Sequence, residues 1–107
     1  MSRVGRGRLA HPSAAPAAGE LTKEVVRIGE VVVEQILSGR LEGAIDDRQD
    51  QAELALVLDG AAVLEVEGER IDLMAGDWVL LPPATPHRLV WTEPGTNWLT
   101  VHVPAAP

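Results

Sequence analysis

Glu53, His87 and His102 are the side chains whose types and positions could do chemistry, because each sits in a stretch of alternating apolar residues. A strand places alternate side chains on one face. Glu53 therefore shares a face with Ala55 and Val57, His87 with Leu89 and Trp91, and His102 with Thr100 and Trp98. If those faces turn to one interior, a carboxylate and two imidazoles converge, the donor set of many non-haem iron sites. Without a metal, Glu53 and His87 could do acid–base work, provided burial brings a pKa near neutrality. Trp91 and Trp98 would add an apolar wall for a small molecule. The plainer readings pair Glu53 with Arg88 or Arg40 and make His102 a satisfied core or rim histidine.

Other chemistries are excluded. The chain has no cysteine, so disulfides and thiolate zinc sites are ruled out. It has no G-x-S-x-G elbow, phosphate loop or dinucleotide fingerprint. Ser13 and Ser38 lie in loops, and only the leader's His11, two residues before Ser13, stands near either of them in sequence, which gives a serine triad no support.

The elements that must position these groups read as strands. Val25, Val26 and Ile28 form a short strand, Gly29-Glu30 a turn, and Val31 to Leu37 a second run rich in β-branched residues. Arg40 to Ile45 alternates weakly, as an edge strand does, and Asp46 to Gln51 is a polar loop. Glu53 to Leu58 and Ala61 to Val66 flank Asp59-Gly60, a strong hairpin signal. Gly68 turns the chain towards Ile71 to Leu73, and Ala75-Gly76-Asp77 turns it into Trp78 to Leu81. Pro82, Pro83 and Pro86 then stiffen a corner that no helix or central strand tolerates. His87 to Trp91, a turn at Glu93-Pro94-Gly95, and Thr96 to Val103 follow, and Pro104 to Pro107 should fray. About nine strands with no convincing helix predict an all-β fold, a small antiparallel double-sheet jelly-roll barrel.

Gly76, Pro82 and His87 stand at the spacings of a known motif, G-x5-P-x-G-x2-H-x3-N, with Ala84 for its second glycine and Trp91 for its asparagine. Glu53 and Gly60 fit the end of a companion motif, H-x-H-x3/4-E-x6-G. On these residues, over roughly Gly29 to Val103, the chain resembles the cupin superfamily, in particular short single-domain bacterial cupins. The resemblance implies that the matches to Glu53 and His87 are metal ligands in cupins that bind metal. The paired histidines are absent: Asp47 and Gln49 stand in their places at the shorter spacing, Asp46 and Arg48 at the longer. Asp47, Gln49 or His102 would have to supply the lost ligands of one divalent ion (Fe, Mn, Ni or Zn), or no ion is bound. The resemblance also implies a large apolar core residue at Trp78. It further implies a homodimer paired through the outer sheet, with Val31 to Leu37 as the interface.

Charge is uneven. Residues 1–19 carry Arg3, Arg6 and Arg8 and no acid, while the remainder holds six basic and sixteen acidic residues. So acidic a body disfavours nucleic acid. Residues 1–19, rich in Ala, Gly and Pro, read as a disordered leader holding a bystander, His11, and residues 20–107 as the barrel domain. No apolar run approaches the roughly 20 residues that cross a bilayer, and the N-terminus lacks the apolar segment of a secretory signal. A cytoplasmic location is expected. The leading function is small-molecule binding in a barrel pocket whose metal site is incomplete or absent. The alternatives are a metal-dependent dioxygenase or isomerase using Glu53 and His87, and a structural or partner-binding module with a packed barrel.

Overall fold

The computed structural model describes residues 3–104. Among them are nine strands and one short 3-10 turn, Pro12–Ala14. In chain order the strands are β1 (Glu20–Ile28), β2 (Val31–Ser38), β3 (Ile45–Asp47), β4 (Ala52–Asp59) and β5 (Ala61–Val66). Then come β6 (Glu69–Met74), β7 (Trp78–Leu81), β8 (His87–Thr92) and β9 (Thr96–Val103). All strand pairs are antiparallel. One sheet has five strands in the order β1-β2-β9-β4-β7, and the other has four in the order β3-β8-β5-β6. This is the double-sheet jelly roll that the spacing of strands and turns predicts.

The core follows from period-two patterning. Ala55 and Val57 from β4 and Trp98 from β9 meet Ala62 and Leu64 from β5, Leu73 from β6 and Leu89 from β8. Burying each large apolar side chain contributes roughly 1.5–3 kcal/mol. The polar groups caught inside are satisfied: Thr92 Oγ1 donates to the Gly39 carbonyl at 2.8 Å, and Thr96 Oγ1 to the Ala61 carbonyl at 3.1 Å.

Two features of the strands differ from the expectations. Asp59-Gly60 does not close a hairpin, since β4 and β5 belong to different sheets. It is a corner where the chain passes from one sheet to the other. Gly60 has φ +93, and a Cβ there would lie 2.5 Å from Thr96 Oγ1, so only glycine fits. The strand expected at Arg40 to Ile45 begins only at Ile45 and runs into the supposed loop. Asp46 and Asp47 pair with Arg88 and His87 of β8, and the Asp46 carboxylate accepts from Arg88 Nε at 2.7 Å.

The leader is tied to the barrel. Gln35 faces outward on β2 yet is buried, because Ala10 covers it with a reciprocal pair of bonds: Ala10 N to Gln35 Oε1 at 2.8 Å and Gln35 Nε2 to Ala10 O at 2.9 Å. Backbone bonds from Gly19 and Arg40 continue the attachment, and Pro16 sits so close to Gly39 that a side chain there would collide. Lastly, β2 lies between β1 and β9. The Val31 to Leu37 segment therefore has no free edge. Met1 and Ser2 of the leader, and residues 105–107 of the stretch expected to fray, lie outside the described residues.

Candidate functional site

The proline corner between β7 and β8 crosses from the five-stranded to the four-stranded sheet. Ala84 takes φ +59 there and donates its N–H to the Gln49 carbonyl at 2.6 Å. The left-handed conformation costs an alanine roughly 1–2 kcal/mol, which gives a physical reason for glycine at this place in the motif. The corner delivers His87 into the barrel with its side chain 9% exposed. Its Nδ1 donates to the Thr85 carbonyl at 3.1 Å. That bond commits Nδ1 as a donor, and among the described residues Nε2 makes no hydrogen bond. The nearest carboxylate oxygen, Asp47 Oδ2, is 3.8 Å from Nε2, beyond hydrogen-bond range.

Glu53 lies on β4 between Leu81 of β7 and His102 of β9, and it is buried at 8% exposure. Its Oε1 accepts from Gln49 Nε2. Burial pushes the Glu53 carboxyl above its ordinary 4.5; His102, His87 and the Gln49 bond oppose that rise, and Asp47 adds to it. Desolvation dominates. Its dry environment disfavours the charged form of Glu53.

The two histidines differ. His102 also faces inward, but its Nε2 is taken by Glu34 Oε1 at 3.0 Å, with Thr100 Oγ1 at 3.1 Å. It is a satisfied histidine at the rim of the site, acting on Glu53 through its field.

A cavity of about 90 Å³ opens between these groups. Glu53, Asp47 and His87 line it, and Ile36, Ala55, Leu64, Leu89 and Trp98 form its apolar floor. Trp98 Nε1 donates to Ser38 Oγ at 3.1 Å, and Ser38 Oγ donates to Glu20 Oε2 at 2.7 Å. Glu20, the first residue of β1, thereby joins the cavity lining. Sequence reasoning missed it, because its place depends on the β1–β2 register opposite Ser38.

Two tryptophans are not where the sequence suggested. Trp91 does not share the face of His87. Leu64 pairs with Leu89 and Val63 with Trp91, so Val90 is an extra residue, and this β-bulge inverts the alternation. Thr92 turns inward instead, while Trp91 is 48% exposed on the outer surface beside Met74. Trp78 is not in the core either. Val79 and Leu81 are the inward residues of β7, and Trp78 is 64% exposed.

The donors do not assemble a metal centre. Glu53 Oε1 is occupied by Gln49, His102 Nε2 by Glu34, and Gln49 presents its amide nitrogen to Glu53. Among the described residues, no three His, Cys, Asp or Glu side chains gather as an ion would require. The residues present do not fit the ligand set that the resemblance implies.

The family model of the cupin domain matches residues 32–102. Among solved structures, the chain is similar to a Ralstonia eutropha JMP134 protein provisionally named a mannose-6-phosphate isomerase. The two are 27% identical with a TM-score of 0.76, over 92% of this chain and 100% of that one. It is also similar in fold to KdgF from Halomonas sp. (23% identity, TM-score 0.69, 82% of each chain). A cupin superfamily protein from Desulfitobacterium hafniense DCB-2 matches with 17% identity and a TM-score of 0.73, over 98% of each chain. No curated protein matches the sequence. Among the described residues, no helix is long and apolar enough to cross a membrane.

Proposed function

Since the chain belongs to the cupin family, we propose that its barrel binds a very small neutral or positively charged molecule, held by Glu53 and His87. The observation that carries this reading is the buried Glu53 carboxyl beside a histidine whose Nε2 is uncommitted, both opening on one cavity. Size limits the ligand. Pockets for drug-sized molecules run to roughly 300–1,000 Å³, so about 90 Å³ suits only a few heavy atoms.

Charge limits it further. Glu20, Asp47 and Glu53 line the cavity and no lysine or arginine does. The name of the Ralstonia protein points to a phosphosugar, but this lining would repel a phosphate and offers no donor cluster to hold one. A ligand with N–H or O–H donors towards Glu53 and an apolar part over Trp98 meets both requirements.

The small cavity also favours a second reading, a barrel packed for structure and not for binding. The homodimer that the resemblance implies is likewise a proposal. So is catalysis by Glu53 and His87 as a proton-transfer pair.

Three probes of one chain length separate the readings: n-butylammonium, 1-butanol and butanoate, titrated while the indole N–H resonance of Trp98 is followed by NMR. Saturable shifts in the order ammonium, alcohol, carboxylate are expected, with the ammonium advantage lost in Glu53→Gln. No saturable shift with any probe would favour the packed barrel. Butanoate binding as well as butylammonium would refute the assigned ligand class.

A further inference from the structure

Asp47 and His87 line two spaces at once: the cavity that holds Glu53, and a surface groove of about 680 Å³. They are cross-strand partners on β3 and β8, and the two spaces meet at this pair. Each side chain is held by one bond and keeps one polar atom over. Asp47 Oδ1 accepts from the Arg48 N–H at 2.8 Å, and His87 Nδ1 donates to the Thr85 carbonyl at 3.1 Å. Asp47 Oδ2 and His87 Nε2 are left 3.8 Å apart. That is too far for a hydrogen bond between them, but it is a span that one common donor can bridge. A nitrogen about 2.8 Å from both atoms would see them at an angle of roughly 85°, within reach of two N–H bonds of one ammonium group. Because Nδ1 donates, Nε2 is the acceptor of the neutral ring. The His87 side chain is only 9% exposed, and buried polar atoms ordinarily have a partner.

Charge selects the donor. The groove adds Asp46, Glu65 and Glu67 to Asp47, against Arg48 and Arg88. Across the sheet Arg70, Glu65, Arg88 and Asp46 stand opposite one another in alternating sign. Arg88 is spent in this ladder, since its Nε donates to Asp46 at 2.7 Å and Glu65 is its neighbour on β5. Among the described residues, Glu67 and Arg48 make no ion pair. Four carboxylates against two guanidinium groups leave the groove net negative. It continues the acidic lining of the cavity, where Glu20, Asp47 and Glu53 meet no lysine or arginine.

We infer that the ligand of this barrel is a short alkanediamine in its doubly protonated form. One ammonium sits on Glu53, and the other bridges Asp47 Oδ2 and His87 Nε2 where the cavity meets the groove. This rests on the small cation proposed above and names its chemical class. The carbon chain between the nitrogens lies on the apolar floor of Ala55, Leu89 and Trp98. A cavity of about 90 Å³ admits only a few carbons, and the outer ammonium faces the groove, so it keeps part of its water. A carboxylate at that outer position would meet Asp47 and Glu67 and be repelled.

The test follows the Trp98 indole resonance by NMR during titration with n-butylammonium, butane-1,4-diammonium and 4-aminobutanoate, three probes of one chain length. We expect the diammonium to bind about tenfold tighter than n-butylammonium, the gain from one charge-assisted contact. The aminobutanoate should bind more weakly than either. In Asp47→Asn the ratio between the two ammonium probes should fall to about one, and in Glu67→Gln it should narrow by a smaller factor. Asp47 lies at the end of an edge strand with its side chain 57% exposed, so the asparagine should leave the fold intact. If it does not, Glu67→Gln decides. Equal affinity for the two ammonium probes in the wild type would overturn the diamine and leave the single-cation reading standing. Binding of neither would overturn both. A tenfold advantage that survives Asp47→Asn, or aminobutanoate binding as tightly as the diammonium, would overturn the position assigned to the second ammonium.

Discussion

The two ends of the barrel interior hold buried polar groups of opposite character. Away from the mouth, the buried hydroxyls have partners within the chain: Thr96 bonds the Ala61 carbonyl and Thr92 the Gly39 carbonyl, and at the cavity floor Ser38 accepts from Trp98 and donates to Glu20. At the mouth, Glu53 is held above its ordinary pKa by desolvation, and His87 keeps an unused Nε2. A satisfied buried group stabilises the fold, while one held dry with spare bonding capacity is available to a ligand. His102 shows that residue type does not decide this, because Glu34 makes it a member of the first class.

The contrast can be broken by substitution. The largest effect belongs to the closed end. Trp98→Ala removes a fully packed ring and leaves the Ser38 hydroxyl without its donor, so urea unfolding should show a loss of about 3–5 kcal/mol. A loss below about 1 kcal/mol would mean that this end is not the packed floor described.

The mouth should respond in the opposite direction. Burial raises the Glu53 pKa above 4.5, so the folded state keeps a proton that the unfolded chain has released. The stability this contributes is complete below about pH 4.5 and is lost as the pH rises through the folded value. Glu53→Gln keeps the oxygen that accepts from Gln49 and cannot ionise. It should match the wild type in acid and exceed it in stability at neutral pH, as measured by thermal melts across that range. A variant less stable than wild type at neutral pH would show that ionised Glu53 is stabilised in place.

The smallest change sharpens the account of the corner that aims His87. Ala84→Gly relieves the left-handed alanine at φ +59 and should raise stability by about 1 kcal/mol. The probe affinities should not change, since no atom of Ala84 lines the cavity. A destabilised variant would mean that the corner is held by something other than backbone conformation.

Strand placement was legible in the sequence because alternation and Gly/Pro punctuation are local properties. The motif glycine, proline and histidine fixed the corner, and Glu53 and His87 do line one cavity. What could not be read depends on pairing between distant segments. The Val90 bulge that turns Trp91 outward exists only because β8 must match β5. The corner at Asp59-Gly60 has the residues of a hairpin, yet Thr96 packed against Gly60 sends the chain to the other sheet. Glu34 is one acid among sixteen in the sequence, and nothing local marks it as the partner that occupies His102. Gln35, which bonds Ala10 in both directions, lies in a run read for its β-branched residues, and nothing local marks it as the leader's contact.

The central claim is that Glu53 is a dry carboxyl facing a cavity that accepts a small cation. Titrating its ¹³C-labelled carboxyl by NMR, with and without n-butylammonium, tests this most directly. The account predicts a midpoint above 4.5 in the free protein that falls when the ammonium enters and favours the ionised form. A midpoint at or below 4.5, indifferent to the probe, would contradict it.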